Sequence, residues 1–317
     1  MMIETQRSIH EVLTNIEKVI IGKHEVTTLS LAALLAKGHV LLEDVPGVGK
    51  TMLVRALAKS LDCSFNRIQF TPDLLPSDVT GVSIYHPHTQ QFEYRKGPIV
   101  GDIVLADEIN RTSPKTQSAL LEAMEESSVT VDGETVMINQ PFFVMATQNP
   151  IEYEGTYPLP EAQLDRFLIK LEMGYPTEDE ELKMLSLTGG LHPIEALTAV
   201  IDKRNVVAMQ EDVNRVYIDP LVQQYIIKLV RQTRQHDAVQ LGVSPRGAIG
   251  LMRVAKAYAY IQNRDYVIPD DVVYLAPYVL AHRLILTHEA KYAKMTGAQV
   301  IQTVLNQIDV PARKDFN

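Results

Sequence analysis

Residues 43–51, EDVPGVGKT, lie between a short apolar run, VLL at 40–42, and a stretch with helical spacing of apolar residues, KTMLVRALAKSL at 50–61. A strand, a glycine-containing turn and a helix in this order predict a phosphate-binding loop. The strict motif has a glycine five positions before Gly49, where this chain has Asp44. Because aspartate adopts left-handed backbone conformations more readily than most residues, we expect Asp44 to make the turn and to direct its carboxylate away from the phosphates.

The composition of the chain is that of a globular protein, with 317 residues, 46% apolar and 22% charged. A net charge of −9 disfavours binding to nucleic acids or anionic membranes. Cys63 is the only cysteine, so no internal disulfide can form. The N-terminus lacks a signal-peptide pattern, and apolar runs such as VVYLAPYVLA at 272–281 are shorter than the roughly 18 residues that span a bilayer. We therefore expect a soluble, cytoplasmic protein.

Short apolar runs alternate with helical patterns up to about residue 175, which predicts an α/β fold with a five-stranded parallel sheet between helices. The predicted strands are VLLED (40–44), FNRIQF (65–70), DIVLAD (102–107), FFVMATQ (142–148) and FLIKLEM (167–173). Two inserted segments, about 82–94 and 128–138, have hairpin patterns. Beyond Pro176 helical periodicity dominates, so we predict two domains: an α/β nucleotide-binding domain with leading helices at 1–175 and an all-helical lid at 176–317.

Polar residues should lie where the predicted strands end, because ligands of parallel sheets bind at the carboxyl ends of the strands. After the first strand, Gly47 and Gly49 let backbone N–H groups approach phosphate oxygens, and the next helix presents its N-terminus to the anion. In this motif Lys50 reaches the β- and γ-phosphates, and the hydroxyl of Thr51 binds Mg²⁺.

Two further strands also end in polar residues. The third ends in Asp107, suited to hold Mg²⁺, and Glu108, suited to polarise an attacking water. The fourth ends before Asn149, which can orient the same water or contact the γ-phosphate. Taken singly, Asp107 and Glu108 could mark only a strand that reaches solvent, and Asn149 could mark only a turn before proline. Together, and in this order, they predict a nucleotide site with Mg²⁺ and an attacking water.

With these motifs the sequence resembles the AAA+ ATPases, and within that class the MoxR family, over essentially the whole chain. The strings that carry the resemblance are LLEDVPGVGKT (41–51), TPDLLPSDVTG (71–81), KGPIVGDIVLADEINR (96–111), ATQNP (146–150), EGTYPLPEAQLDRF (154–167) and GVSPRG (242–247). The resemblance implies a P-loop NTPase fold of the AAA+ type, followed by the smaller helical lid.

The resemblance also implies a role for each motif residue. Lys50 and Thr51 form the Walker A pair, Asp107 and Glu108 the Walker B pair, and Asn149 the first sensor. The implied nucleotide-binding residues are Ile21, Gly22, Val45, Pro46, Gly47, Val48, Gly49, Lys50, Thr51 and Met52, and the implied magnesium ligands are Thr51 and Asp107. The segment 19–22 resembles the one that covers adenine in the family, although simple packing explains it nearly as well.

Two arginines complete the implied catalytic set of Glu108, Asn149, Arg166 and Arg246. Arg166 resembles the arginine finger, which acts on nucleotide held by the next subunit. Arg246 resembles the second sensor, which reaches from the lid to the phosphates of its own subunit. Alternatives stay open: an ion pair with Asp165 or Glu161 for Arg166, a helix start for Arg246, and Arg111 as another inter-subunit candidate.

The implied function is Mg²⁺-dependent ATP hydrolysis by a homo-oligomeric ring, with a hexamer as the expected size. By resemblance, the ring remodels client proteins or inserts a cofactor or metal into them, and the clients carry a von Willebrand A-type domain. One alternative is a nucleic-acid motor of the helicase type, disfavoured because neither inserted segment contains Lys or Arg. Another is a non-hydrolysing, nucleotide-gated scaffold, disfavoured because all the motif residues are present.

Overall fold

The computed structural model describes residues 2–45, 47–149, 156–186 and 193–311, with side chains from Ser8 onward. The strands are β1 (Val40–Glu43), β2 (Phe65–Gln69), β3 (Gly81–His86), β4 (Gln91–Lys96), β5 (Ile103–Asp107), β6 (Ser128–Val131), β7 (Glu134–Met137), β8 (Phe143–Gln148), β9 (Ile169–Leu171), β10 (Val239–Leu241) and β11 (Ile285–Leu286). The α-helices are α1 (Met2–Glu17), α2 (His24–Leu35), α3 (Lys50–Ser60), α4 (Pro76–Thr80), α5 (Pro114–Glu126), α6 (Glu161–Leu164), α7 (Glu178–Ser186), α8 (Pro193–Ala196), α9 (Lys203–Arg215), α10 (Pro220–Thr233), α11 (Pro245–Ile261), α12 (Pro269–Leu280), α13 (His288–Tyr292) and α14 (Gly297–Gln307).

Five strands form one parallel sheet in the order β2-β5-β8-β1-β9, which confirms the predicted fold class. Because β1 lies between β8 and β9, it is an interior strand of the sheet, and the loop that follows it has a strand end on either side. All five strands run in the same direction, so their carboxyl ends meet along one edge.

Both faces of the three central strands, β1, β5 and β8, are buried, which explains why these strands are nearly continuous apolar runs. In β5, Ile103 and Leu105 belong to one hydrophobic cluster, whereas Val104 and Ala106 belong to a second. Successive side chains of a strand point to opposite faces, so each cluster fills one side of the sheet. On the central strands, charged side chains are therefore expected only at the strand ends.

The helices after the sheet share a core with the helices before it. The first cluster contains Ile16 of α1, Leu29 of α2 and Leu57 of α3, together with Tyr225 of α10 and Leu251 of α11. This core runs through both predicted domains, so the division near residue 175 stays a prediction. Within the described residues, no helix combines the length and apolar character needed to cross a membrane.

The two inserted segments form antiparallel hairpins, β3–β4 and β6–β7. The hairpin β3–β4 exposes Tyr85 and Phe92, whose ring centroids lie 5.2 Å apart. Its second strand extends past the predicted segment and includes Arg95 and Lys96. The formed hairpin is thus not free of basic residues, which weakens that argument against a nucleic-acid motor.

A buried histidine at the start of β1 connects three elements. The Nδ1 atom of His39 accepts a hydrogen bond from the backbone N–H of Val144 in β8, at 3.0 Å. Its Nε2 atom donates to the carbonyl oxygen of Met124 in α5, also at 3.0 Å. Burial lowers the pKa of His39 from 6.5 to about 4; the hydrogen bond to Met124 opposes this shift, and Arg253 adds to it. The imidazole is therefore neutral in the folded protein at pH 7.

This lowered pKa makes stability depend on pH. Below pH 6.5 the unfolded chain protonates His39, whereas the folded protein does not until about pH 4. The contribution of His39 is therefore complete above pH 6.5 and lost as the pH falls toward 4. Between about pH 7.5 and pH 5 we expect a loss of about 2 kcal/mol in the free energy of unfolding from this group.

Urea unfolding of the wild type and of His39→Gln at both pH values measures this contribution. Buried His282, whose pKa is lowered mainly by desolvation, acts in the same direction in both proteins and cancels in the comparison. We expect a smaller pH dependence for the variant. Equal losses in the two proteins would contradict a neutral, buried His39.

Candidate functional site

The loop after β1 depends on two glycines in left-handed conformations. Gly47 has a φ of 87° and Gly49 a φ of 95°. A Cβ atom at Gly47 would meet no atom within 4 Å, so this glycine is required by its backbone conformation and not by crowding. Helix α3 begins directly after Gly49, which directs its free N–H groups toward the loop. Pro46 lies outside the described residues.

The ammonium group of Lys50 closes the loop. It donates to the carbonyl oxygens of Asp44, at 2.8 Å, and Val45, at 3.2 Å. Burial lowers the pKa of Lys50, while the carboxylates of Asp44, Asp107 and Glu108 oppose that shift. A cation thus lies within the loop and near three carboxylates, at the place where the motif predicts phosphate.

Asp44 does not make the left-handed turn that the sequence suggested. Among the described residues with positive φ, the loop contributes only Gly47 and Gly49. The carboxylate of Asp44 accepts two backbone hydrogen bonds, from Val45 N at 2.8 Å and from Gly174 N at 2.6 Å. These bonds fix the orientation of the side chain, and they direct one oxygen toward the segment after β9.

A cavity of about 490 Å³ adjoins the loop, a volume within the usual range of small-molecule sites. Its walls combine Gly47, Val48, Gly49 and Met52 with Val19, Ile20 and Ile21, and with Met173 beyond β9. The phosphate loop and the segment expected to cover adenine therefore face one cavity. Gly22 adjoins this wall with a φ of 73°. The aliphatic and thioether side chains suit a flat, apolar base.

Asp107 ends β5 with its carboxylate held from two sides. Its Oδ1 atom accepts a hydrogen bond from the hydroxyl of Thr147 at 2.6 Å. Its Oδ2 atom accepts from Nη2 of Arg67 at 2.7 Å and from Nε at 3.2 Å. Only 8% of Asp107 is exposed, so these contacts compensate the cost of burying the charge.

Glu108 adopts a left-handed conformation, with φ 59° and ψ 49°, at a cost of about 1 kcal/mol for a residue other than glycine. Its backbone N–H donates to the hydroxyl of Thr147 at 2.8 Å, which helps to hold this conformation. Its Oε2 atom accepts from Nε2 of Gln69 at 2.8 Å and pairs with Nε of Arg111 at 3.3 Å. Arg111, the alternative inter-subunit candidate, thus contacts a carboxylate of its own subunit.

Asn149 follows β8, the neighbour of β5, so it lies at the same sheet edge as Asp107 and Glu108. It is 6% exposed, and its backbone carbonyl oxygen accepts a hydrogen bond from Nδ2 of Asn110 at 3.2 Å. Its contact with water or phosphate stays a prediction.

Three residues that hold the two acids, Arg67, Gln69 and Thr147, were not predicted from the sequence. Arg67 and Gln69 are alternate residues of β2, and β2 pairs with β5 so that Gln69 lies opposite Asp107. Thr147 is part of the ATQNP string that the sequence analysis singled out. The alternation on β2 is the signal that could have found the first two, because residues two apart share a face of the sheet.

The oxygen donors present fit a magnesium ion. Thr51 lies at the start of α3 and Asp107 at the end of β5, and a P-loop magnesium site takes most of its other ligands from phosphate and water. The described residues contain no group of three or more His, Cys, Asp or Glu side chains that could hold a metal by themselves.

Arg166 and Arg246 share one carboxylate on α5. Nε of Arg166 lies 2.9 Å from Oε2 of Glu125, and Nη1 of Arg246 lies 2.9 Å from Oε1. Both arginines line a second cavity, of about 310 Å³. Among the described residues that line the cavity beside the phosphate loop, neither arginine occurs.

In the structure Arg246 lies away from the phosphate loop, and its expected contact with the phosphates of its own subunit stays a prediction. Ion pairing with Glu125 holds Arg246 beside Arg166, at the second cavity. The partner of Arg166 is Glu125 as well, and neither Asp165 nor Glu161, the two acids that the sequence suggested.

A buried arginine attaches this region to the helices that follow. Nε of Arg283 donates to Oδ1 of Asp165 at 2.7 Å, and Nη2 donates to the carbonyl oxygen of Phe167 at 2.8 Å. Asp165 also accepts from the hydroxyl of Ser244, at 3.3 Å, just before α11. Asp165 therefore fixes the backbone next to Arg166 against the helix that carries Arg246.

Comparison with known proteins places these motifs in a family. Residues 39–169 match the family described as "ATPase family associated with various cellular activities (AAA)", and residues 231–304 match the AAA lid domain. The chain is 62% identical to the protein YeaC of Bacillus subtilis over 98% of each. It is 41% identical to Chaperone MoxR1 of Mycobacterium tuberculosis, over 96% of this chain and 82% of that protein. A crystal structure from Cytophaga hutchinsonii matches with a TM-score of 0.92 and 41% identity, over 98% of this chain and 97% of that one.

Removing the carboxylate of Asp165 should destabilise the fold. Arg283 has only 3% of its side chain exposed, so Asp165→Ala leaves a buried charge without its ionic partner. We expect a loss of about 3 kcal/mol in the free energy of unfolding. The control Arg215→Ala breaks the exposed pair with Asp212 and leaves the contact between Asp212 and buried Tyr260 in place, so it should cost less than about 1 kcal/mol. Urea unfolding measures both, and equal losses would contradict the role given to Asp165.

Proposed function

This chain belongs to the MoxR family of AAA+ ATPases, and we propose that it hydrolyses ATP in a homo-oligomeric ring and thereby remodels partner proteins. The observation that carries this proposal is the separation of the two arginines from the phosphate loop. Lys50, Asp107 and Glu108 belong to the first site, whereas Arg166 and Arg246 are paired with Glu125 at another cavity. A nucleotide site that combines Lys50 with Arg166 and Arg246 then requires two subunits, one for the lysine and one for the arginines.

The phosphate loop supplies the binding of the nucleotide. Lys50 exchanges the carbonyl oxygens of Asp44 and Val45 for phosphate oxygens, and the N–H groups at the start of α3 donate to the same phosphates. Thr51 and Asp107 would hold Mg²⁺, which supplies charge neutralisation at the phosphates when it is bound. Arg67 and Thr147 orient the carboxylate of Asp107 for this contact.

Glu108 is the proposed base that orients and deprotonates the attacking water. In the structure its carboxylate accepts from Gln69 and pairs with Arg111, so it must exchange these partners for water before it can act. Asn149, at the end of the adjacent strand, is the proposed second contact of that water. This exchange offers a means to keep hydrolysis slow until the nucleotide is in place.

The arginines are proposed to act on the nucleotide of a neighbouring subunit. Phosphoryl transfer gains most from cations that stabilise the transition-state charge, and an arginine supplied in trans contributes a factor of about 10³–10⁵ in rate. We propose that Arg166 and Arg246 both act in this way, because Glu125 holds them together. Glu125 then releases them to the phosphates when the ring assembles.

The proposed clients are proteins. The relative named Chaperone MoxR1 supports this class of activity, and the exposed Tyr85 and Phe92 of β3–β4 offer an apolar surface to contact a client. Insertion of a metal or cofactor, a client with a von Willebrand A-type domain, and a ring of six are finer proposals from the same family. Turnover that rises with DNA and falls steeply with salt would instead favour the nucleic-acid motor.

Two substitutions separate binding from hydrolysis. Lys50→Ala removes the phosphate contact and should abolish ATP turnover together with nucleotide binding. Glu108→Gln keeps the shape of the side chain but not the base, so turnover should fall by a factor of about 10² or more while ATP binding persists. Phosphate release and equilibrium binding measure the two properties. Unchanged turnover in Lys50→Ala would refute the proposed activity.

Mixing two inactive variants tests whether the arginines act between subunits. In an equal mixture of Lys50→Ala and Arg166→Ala subunits, about one quarter of the interfaces combine an intact Lys50 with an intact Arg166 from the neighbour, and these should hydrolyse ATP. An equal mixture of Lys50→Ala and Arg246→Ala subunits should recover ATP hydrolysis in the same way. Recovery with Arg166→Ala but none with Arg246→Ala would show that Arg246 acts in its own subunit.

A further inference from the structure

Asp44 connects the phosphate loop to the segment that leads from the sheet to α7. Gly174 lies in that segment and has a φ of 62°, while a Cβ atom there would meet nothing within 4 Å. Its backbone N–H donates to Oδ2 of Asp44 at 2.6 Å. The glycine thus supplies a left-handed turn whose N–H faces Asp44. A glycine at position 44, as in the strict motif, could not accept this bond.

The same segment is held from a second side of the cavity. Nζ of Lys23 donates to the carbonyl oxygen of Tyr175 at 3.0 Å. Lys23, Met173 and Pro176 all line the cavity next to the phosphate loop. Residues 173–176, which we call the linker, therefore contact the phosphate side through Asp44 and the base side through Lys23.

Asp44 also contacts the residue that must move when phosphate binds. Its carbonyl oxygen accepts from the ammonium group of Lys50 at 2.8 Å, while its carboxylate accepts from the linker. Asp44 is 9% exposed and accepts a further bond from Val45 N, so its position is tightly determined. A change in the hydrogen bonds of Lys50 therefore alters the contacts of Asp44, which is itself bonded to the linker.

We propose that Asp44 is a positioning residue that couples occupancy of the phosphate loop to the position of the linker, and through the linker to α7. Met184 and Leu185 of α7 line the same cavity, so movement of the linker opens or closes that cavity. This inference rests on the proposed function, because it requires a nucleotide in the loop. The departure from the strict motif is then the coupling device itself.

The absence of tryptophan makes the linker easy to observe. The chain has 13 Tyr and no Trp, so Tyr175→Trp introduces a single fluorophore that is excited selectively. Tyr175 is 74% exposed and contacts Lys23 through its carbonyl oxygen, which this substitution keeps. The experiment compares the change in tryptophan emission on adding ADP in this reporter protein and in the reporter carrying Asp44→Asn or Asp44→Gly.

Two variants and one control distinguish coupling from loss of structure. An asparagine oxygen can accept only one of the two N–H bonds, and a glycine accepts neither. The control Glu43→Gln makes the same acid-to-amide change one residue away, on a side chain that contacts Gln148 and Lys170 and not the linker. Direct titration with N-methylanthraniloyl-ADP measures affinity in each protein, and thermal unfolding verifies the fold.

We expect ADP to change the emission of the reporter and of the Glu43→Gln control. The change should fall by more than half in the Asp44→Gly reporter, which loses both bonds, and by less in the Asp44→Asn reporter, whose one oxygen can keep the bond to Gly174. In both variants the affinity should alter less than tenfold. A full response in both variants, an equal loss in the control, or a tenfold or greater change in affinity would overturn the coupling. A reporter that binds ADP without any response would overturn it too, whereas a reporter that does not bind at all refutes the proposed function.

Discussion

A parallel sheet buried on both faces constrains everything else in this molecule. The side chains of the central strands β1, β5 and β8 alternate between two hydrophobic clusters, so a charged side chain in their interior would be desolvated without a partner. On these strands charge can occur only where the strand ends, and the common direction of the strands brings those ends to one edge. Lys50, Asp107, Glu108 and Asn149 lie at that edge for this reason.

The same constraint explains how much of the fold the sequence predicted. An apolar run followed by a polar residue marks a buried strand and its carboxyl end together, so the five strands and the position of Asp107 at the end of β5 followed from local pattern. Ile21, expected near adenine, lines the cavity beside the phosphate loop, and its contact with a nucleotide stays a prediction. Each of these features is determined by residues that are close together in the sequence.

Features that depend on contacts between distant segments were not predicted. Arg67 and Gln69 contact the motif acids only because β2 pairs with β5, and Asp44 contacts Gly174 across 130 positions of sequence. The location of Arg246 follows from the packing of α11 against the region of Asp165 and Glu125, which no local spacing encodes. Asp44 does not have the left-handed backbone that its residue type permits, and its carboxylate accepts hydrogen bonds from Val45 and from distant Gly174.

The backbone of Glu108 has a consequence for the evolution of this site. A left-handed backbone costs a residue with a side chain about 1 kcal/mol relative to glycine, before the contacts of that side chain are counted. Replacement by glycine would relieve this strain, but it would also remove the carboxylate proposed as the base, together with its contacts to Gln69 and Arg111. Backbone strain and the proposed chemistry therefore favour different residues at this one position.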